Sequence, residues 1–524
     1  MSTSEIGTGA VPPAGTTTPE APAPTGATSP SAPTAPDTTP PDTTAPGPTA
    51  PGSAGPVASG PGAPAGKGVA PDPTTPAGKA PAPATPTDKA PDPATPAGKA
   101  PARKPRRELL AASVGSVVEA YDWTIYGVLA PYFAEQLFPG SSPTARLIAA
   151  YLGFALGFLV RPLGSVVIGR LTDTRGRRFG LTLTVGLIAA GSLLLAIVPG
   201  HASIGLAAPL LVVAARLVQG LSVGAENPTA AAYVTETAPG RHRYFYSAVS
   251  YGGVVLGSAL SFIVLSVLLG VFGEAGVEDG AWRLAFVFGA LLGLTALWIR
   301  RGAAESEVFA EDARTRKRTR GGASPWPVLR AHLGPLSVVF AITSGATTVF
   351  YFLTVDFPSY AAAAGAATKE EASGALLLGM VALLAGMLAA GKAADRFGAL
   401  PVLRTGFAGL ALGSVPLLAG MVAGRVPVPV VTVVLLFLLA LPLAVSNVFA
   451  GQLFPPAVRA VAVGLPAALA ISLFGGTFPA LAEWLRSAGH GGWVPWWPAI
   501  TCAAALLASW GVREHPLPDT PVSE

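Results

Sequence analysis

The sequence predicts an all-α integral membrane protein: twelve transmembrane helices in two six-helix pseudo-repeats, behind a disordered N-terminal tail. Three observations carry this. Of 524 residues 51% are hydrophobic and 12% charged, with mean hydropathy +0.52, too apolar for a soluble multidomain chain. From about Leu109 onward, apolar stretches recur at the length of about 20 residues that a helix needs to cross a bilayer. Finally, GRLTDTRGRR at Gly169 and GKAADRFGAL at Gly391 are related segments, each following two long apolar runs, so a six-segment unit occurs twice.

The elements follow in order. Residues 1–102 are dominated by Pro, Ala, Thr, Gly and Ser, and bury too little apolar surface to offset chain entropy. A decapeptide near-repeat there places Lys79, Lys89 and Lys99 at equal intervals, and its proline density favours an extended, solvated polyproline II spacer. The tail lacks the basic start and apolar core of a cleavable signal. The first half, 103–300, holds spans near 109–134, 146–169, 179–199, 205–235, 244–272 and 282–300. A loop at 301–332 leads to the second half, 333–512, with spans near 333–361, 373–391, 400–422, 427–450, 457–485 and 493–512; residues 513–524 form a short tail.

Basic loop residues set the expected orientation. Arg103, Lys104, Arg106 and Arg107, then Arg170, Arg175, Arg177 and Arg178, then Arg241, Arg243 and the run RTRKRTR at 314–320 fall on one side. By the positive-inside rule that side, with both termini, is cytoplasmic, and the cell membrane is the expected location. The pI of about 9.3 then reflects topology and attraction to lipid headgroups rather than nucleic-acid binding, for which no basic face interleaved with aromatics exists. One cysteine, Cys502, excludes an internal disulfide and a cysteine-rich metal site. The five histidines lack metal-ligand spacing and no hydrolytic motif is present, so no enzyme, cofactor or metal is expected.

The informative residues are charges inside spans: Glu119 and Asp122 in the first, Arg161 in the second, Arg216 and Glu226 in the fourth. Facing lipid, each costs about 2.5–3.5 kcal/mol at a helix centre, so they must face one another or water. Glu119, Asp122 and Tyr126 share one helical stripe, and Arg216, Gln219 and Glu226 share another. Asp122 and Arg216 lie at similar depth and are expected to meet, either as a register-fixing ion pair or as part of a transport site. Arg161 and Arg216 suit a carboxylate through two-pronged hydrogen bonds, and Asp356, near the end of the seventh span, suits a cationic group.

Several blocks resemble the metabolite:proton symporters of the major facilitator superfamily: GSVVEAYDWTIYGVLAPYF, RPLGSVVIGRLTDTRGRR, RLVQGLSVGAENPTAAAYVTE, FYFLTVDFPSY and QLFPPAVRAVAVGL, over about Leu109 to Arg513. The chain departs from the family pattern at Ala120, Thr174, Ala225, Asn227, Gln452 and Asp356, so the resemblance does not name the substrate. It implies a monomeric secondary transporter that rocks about a midplane site, driving proton-coupled uptake of a small organic acid or zwitterion. Within that mechanism the embedded residues are expected to act as the site, Asp122 or Glu119 taking the coupling proton and Tyr126, Arg161, Arg216, Gln219, Glu226, Tyr351 and Asp356 contacting substrate. Asp173, Arg177, Arg178, Glu236 and Arg241, with Asp395 and Arg396 in the second copy, resemble a cytoplasmic gate. A proton-driven exporter and a non-transporting sensor are the alternatives; the Gly-Pro break usual in span five of exporters is missing from GGVVLGSALSF at 252–262.

Overall fold

The computed structural model describes residues 105–175, 177–223, 242–301, 330–455 and 458–513. These are almost wholly helical. The first half comprises α1 (Pro105–Leu137), α2 (Pro143–Leu159), α3 (Arg161–Arg175), α4 (Arg177–Ile197), the short α5 (His201–Ile204), α6 (Ala207–Val223), α7 (Arg243–Gly276) and α8 (Trp282–Arg301). The second comprises α9 (Leu333–Tyr351), α10 (Phe357–Ala363), α11 (Lys369–Phe397), α12 (Ala399–Val422), α13 (Val428–Gln452), α14 (Arg459–Ala470), α15 (Phe478–Ser487) and α16 (Trp496–Trp510).

Seven of the described stretches are long and apolar enough to cross a bilayer; one of these, Arg243–Ile299, is 57 residues long and contains both α7 and α8. Thr182–Ile197 and Ala207–Ser222 are shorter apolar helices. With α1 and α16 the described residues make twelve passes, as the sequence predicts. The helices run a few residues past the expected apolar limits because helical hydrogen bonding continues beyond the membrane-length core; α1, for example, starts at Pro105 and ends at Leu137. The expected fourth span reaches 235, but the described part ends at Val223.

Three passes are interrupted in ways the sequence explains. The second breaks between α2 and α3 at Val160, because Pro162 has no N–H to return to the carbonyl of Phe158. The seventh and eleventh contain π-turns, Phe352–Asp356 between α9 and α10 and Ile471–Gly476 between α14 and α15. The eighth starts on a reciprocal cap: Thr368 Oγ1 accepts from the Glu371 N–H at 3.1 Å, while Glu371 Oε2 accepts from the Thr368 N–H at 2.9 Å.

Within the first half α1 packs on α7 and α8, and α4 on α6 and α8; within the second α11 and α12 pack on α13, and α9 and α12 on α16. The halves meet along α7 with α11, and along α2 with the Ile471–Gly476 turn and α15. One hydrophobic core runs through both halves. Leu210, Val271, Trp298 and Leu412 are exposed on outer faces, as lipid contact requires.

Backbone proximity fixes the second and fourth passes. A Cβ on Gly220 would stand 2.1 Å from the Gly157 carbonyl oxygen, and one on Gly164 2.1 Å from that of Leu221, so α2 and α3 touch α6 through main chain. This contact sets the depths of Arg161 and Arg216. Overpacking costs about 1–3 kcal/mol. Gly220→Ala is therefore expected to lower the melting temperature of detergent-purified protein, whereas Gly186→Ala, where a Cβ meets nothing within 4 Å, leaves it unchanged. Equal melting of the two variants would show that the α2–α6 approach is not tight.

Candidate functional site

Asp122, in the middle of α1, is 1% exposed and receives three donors. Ser192 Oγ of α4 donates to Oδ1, Gln219 Nε2 of α6 donates to Oδ1 at 2.8 Å, and Arg216 Nη2 of α6 donates to Oδ2 at 3.4 Å. The helical spacing of Arg216 and Gln219 puts both on the face of α6 turned to α1. Arg216 is completely buried and lies over the rings of Tyr126 (4.2 Å) and Trp123 (5.4 Å). Tyr126 donates its hydroxyl to the Ala150 carbonyl at 3.0 Å, which holds its ring beneath the guanidinium.

Arg161, at the broken second pass, forms the other half of the site. Its guanidinium lies between Trp123 (4.2 Å) and Phe158 (4.0 Å) and donates to the Tyr351 hydroxyl of α9. Glu119, half-buried one turn along α1 from Asp122, acts electrostatically on both Arg161 and Tyr351. Trp123 thus separates the two arginines, its six-membered ring wedged where a Cβ on Gly157 would come within 2.7 Å. Four buried donors here meet no acceptor: Trp123 Nε1, Arg161 Nε, Arg216 Nε and Arg216 Nη1. Buried donors are almost always satisfied, so this concentration sets the place apart among the described residues.

One end of the site is sealed by both halves. The Phe158 carbonyl, which also receives the Val160 N–H, lies 2.9 Å from Ser472 Oγ of the eleventh pass, whose hydroxyl is shared with the Ala468 carbonyl at 2.8 Å. Phe154 and Phe158 meet the Tyr351 ring edge to face at 5.8 and 5.2 Å. A Cβ on Gly475 or Gly476 would fall 2.7 Å from Tyr351 or 2.9 Å from Phe158, so only glycine lets the π-turn close on these rings. Behind them Asp356, 0% exposed, is held in a two-pronged ion pair by Arg486 of α15, at 2.9 and 2.6 Å, and Arg486 also bonds Glu483 at 2.7 Å. Among the described residues α3 and α14, the other halves of the second and eleventh passes, meet over a shorter stretch.

The arginine-rich end carries a different contact between halves. Asp395, at the end of α11, accepts from the N–H groups of Tyr244 (2.9 Å) and Phe245 (3.2 Å) and so caps the first turn of α7. Gln452 Nε2 donates to the Tyr244 hydroxyl at 2.9 Å. Arg396 is exposed and stacks on Phe397.

Of the residues named from sequence, the structure brings together Asp122, Tyr126, Arg216 and Gln219 in one group and Glu119, Arg161 and Tyr351 in an adjoining one. Asp356 is apart, occupied by Arg486. Asp173, Arg177 and Arg178 fall on α3 and α4, outside the described side chains, and Glu226, Glu236 and Arg241 lie outside the described residues. Sequence reasoning passed over Trp123, although it stands inside the same motif, and over Ser192 and the Arg486–Glu483 partners of Asp356, which carry no local signal.

Twelve apolar passes around a buried, charged and donor-rich centre, with contacts between halves at both ends, define a multi-pass membrane transporter. The family model for the Major Facilitator Superfamily matches residues 112–465, and the chain belongs to that superfamily. It is 30% identical to the alpha-ketoglutarate permease of Escherichia coli, over 76% of this chain and 92% of the relative. It is 31% identical to the citrate-proton symporter of Salmonella typhi, over 76% of this chain and 91% of the relative. Among solved structures, the D-xylose-proton symporter shares the fold at a TM-score of 0.61 and 20% identity, over 78% of this chain and 98% of that one.

Removing one partner of a buried ion pair costs about 3–5 kcal/mol because the other charge is stranded. Asp356→Asn is therefore expected to lower thermal stability in detergent, although Glu483 retains part of Arg486, and Asp356→Asn combined with Arg486→Gln recovers much of the loss. A double variant no more stable than the single one would contradict this pairing.

Proposed function

We propose that this protein imports small organic acids across the cell membrane together with protons, as a monomer with both termini in the cytoplasm. The observation that carries the reading is the group of buried, unanswered donors on Trp123, Arg161 and Arg216 next to the Asp122–Arg216 pair. A carboxylate supplies the acceptors those donors lack; the ketoglutarate and citrate relatives are named for organic acids, and others for proline, betaine and ectoine, zwitterions that carry the same group.

Coupling follows from competition for one guanidinium. In the empty site Asp122 is the anion that answers Arg216. A substrate carboxylate docking on Arg216 Nε and Nη1 replaces that charge, and Asp122, in a dry surrounding, then favours its protonated form. Gln219 suits both states: its Nε2 donates to the ionised carboxylate, while its buried Oε1, which has no partner, is available to accept from the protonated one after an amide flip.

In this reading the halves rock about the site, and the described form is sealed on the side away from the cytoplasm by Phe154, Phe158, Tyr351 and the Ile471–Gly476 turn. Asp356 belongs to that outer seal through Arg486 rather than to the ligand. Asp173, Arg177, Arg178, Glu236 and Arg241 form the cytoplasmic gate with Asp395 and Arg396, and Asp395 works by capping α7. Ion pairs near a surface contribute under about 1 kcal/mol each, so such a gate works as a network and opens readily.

Two variants test the assignment. Arg216→Lys keeps the charge and loses the planar fork, so carboxylate affinity in a binding assay should fall about tenfold or more; unchanged affinity removes Arg216 from the ligand site. Asp122→Asn leaves Arg216 without its anion whenever the site is empty, which blocks the empty return. Proteoliposomes of this variant should exchange substrate between faces but fail to accumulate it under a pH gradient, and retained accumulation would move the coupling proton elsewhere.

A further inference from the structure

The outer ends of the helices differ between the halves in what they offer a bilayer. With the orientation proposed above, the connections on that side all fall among the described residues. On the first half they carry the acids Glu135, Glu274, Glu278 and Asp279, while the aromatics there that could anchor in lipid, Tyr132 and Trp282, are buried. On the second half the turn from α15 into α16 carries Trp484, Trp493, Trp496 and Trp497, each between 36% and 62% exposed.

The local sequence holds these rings in place. α15 ends at Gly489, φ 76°, where the His490 N–H returns to the Leu485 carbonyl at 2.8 Å and the Gly489 N–H to that of Arg486 at 3.1 Å, a stop that uses the left-handed conformation open to glycine. One 3₁₀ turn, Gly491–Trp493, then leads into α16. Trp493, Trp496, Ile500 and Leu507 follow at helical spacing on one exposed face, and the exposed Leu465, Leu469 and Leu473 precede Trp484 along the eleventh pass. Trp497 stacks on Phe474 of that pass, with ring centroids 6.4 Å apart. The patch is therefore the outer end of a lipid-facing surface, and its uncovered aromatic area of roughly 300–500 Å² is large enough to mark a contact.

We propose that these four tryptophans dock in the headgroup–acyl boundary of the outer leaflet and fix the second half in the bilayer, so that the first half is the one that swings when the outer seal opens. The proposal goes beyond the transport reading and takes from it only the orientation. An indole has an apolar body and one N–H donor, so it is most stable where hydrocarbon meets hydrated headgroups, and such rings set the tilt of the helices that carry them. The exposed Arg425, between α12 and α13, adds a cation at the same level. The outer acids Glu370 and Glu371 of this half are on α11, which packs on α7 of the other.

The anchor is built into the seal itself. α15 is the segment that Arg486 ties to Asp356 of the seventh pass, and it packs on α2. Parting the halves there either lifts the tryptophans out of the boundary or moves α2 away from α15. The second course costs less, because the outer ends of α1 and α2 carry no exposed aromatic ring.

Full-length protein in lipid nanodiscs tests both parts. The first arm compares the emission of the native protein with that of Trp484→Leu, Trp493→Leu and Trp496→Leu combined, which keeps apolar surface and removes the indoles. Phosphatidylcholine brominated near the headgroup end of its acyl chains should quench the emission lost in the variant at least about twofold more than lipid brominated near the methyl end. Equal quenching, or shielding from both lipids with a second copy in each particle by mass, overturns the docking. The second arm forces the seal with Gly475→Leu or Gly476→Leu, where a Cβ already falls 2.7 Å from Tyr351 or 2.9 Å from Phe158. Spin labels introduced at Ser203→Cys in the first half and Ala363→Cys in the second, both exposed, report depth through collision with oxygen and with a nickel chelate; Cys502 is buried and takes no label. On forcing the seal, the Ser203 label should change depth at least about twice as much as the Ala363 label, and with the three tryptophan substitutions added the two should move alike. Equal movement without those substitutions, larger movement at Ala363, or no movement at either position in both glycine variants overturns the pinning. Neither arm uses a transported substrate, so the organic-acid reading stands or falls separately.

Discussion

A guanidinium that water cannot reach has to be answered by something else, and Arg216 imposes that requirement on the first half of the molecule. It draws Asp122 from α1 across to α6, and the remaining lone pairs of Asp122 draw in Ser192 from α4 and Gln219 from α6. Tyr126 and Trp123 supply aromatic faces to the side of the guanidinium that makes no ion pair. Three passes are thereby tied to one carboxylate. The close approach of Gly157 and Gly220 is what allows α2 and α6 to enclose the pair without a gap.

Among the described residues the second half adds no ion pair at that depth. Its contribution is shape and backbone: Tyr351 reaching Arg161, two adjacent glycines admitting the rings of Tyr351 and Phe158, and a serine answering a carbonyl. Its own buried charge, Asp356 with Arg486, joins the π-turn of the seventh pass to the last helical segment of the eleventh. Those two segments are fastened to each other by this pair, and each also packs on the first half, the turn on α1 at Gly127 and α15 on α2.

Much of this was legible in the sequence because membrane burial makes charge conspicuous. Asp122, Arg216 and Gln219 stood out as polar residues with helical spacing in apolar surroundings, and the spacing placed them on facing stripes. The duplicated loop pointed to a repeated unit and the apolar runs to twelve helical passes, the fourth of them running past the described residues. Other features left no such trace. Ser192 is an ordinary polar residue in an apolar helix, and its bond to Asp122 exists only because α4 packs there. Trp123 reads as one more membrane aromatic until its position between two arginines is known. Asp356 was visible as an embedded acid and suggested a ligand contact, but its partner Arg486 lies 130 residues away in a stretch that reads as a loop. Pairings at that range are decided by how helices assemble, which local pattern does not encode.

The proline at 162 has a consequence for how this protein tolerates change. By withholding one N–H it leaves the Phe158 carbonyl, held within its own helix only by the Val160 N–H, within reach of Ser472 in the other half. The acceptor in that contact is main chain, so no replacement of the side chain at position 158 can abolish it. Its continued existence depends instead on an imino acid four residues further on and on a hydroxyl more than 300 residues away. A chain that lost the proline would have this carbonyl drawn back into its own helix, so a single substitution at 162 would loosen a hydrogen bond between the halves, while the ring of Phe158 stays bound to its contacts with Arg161 and Tyr351.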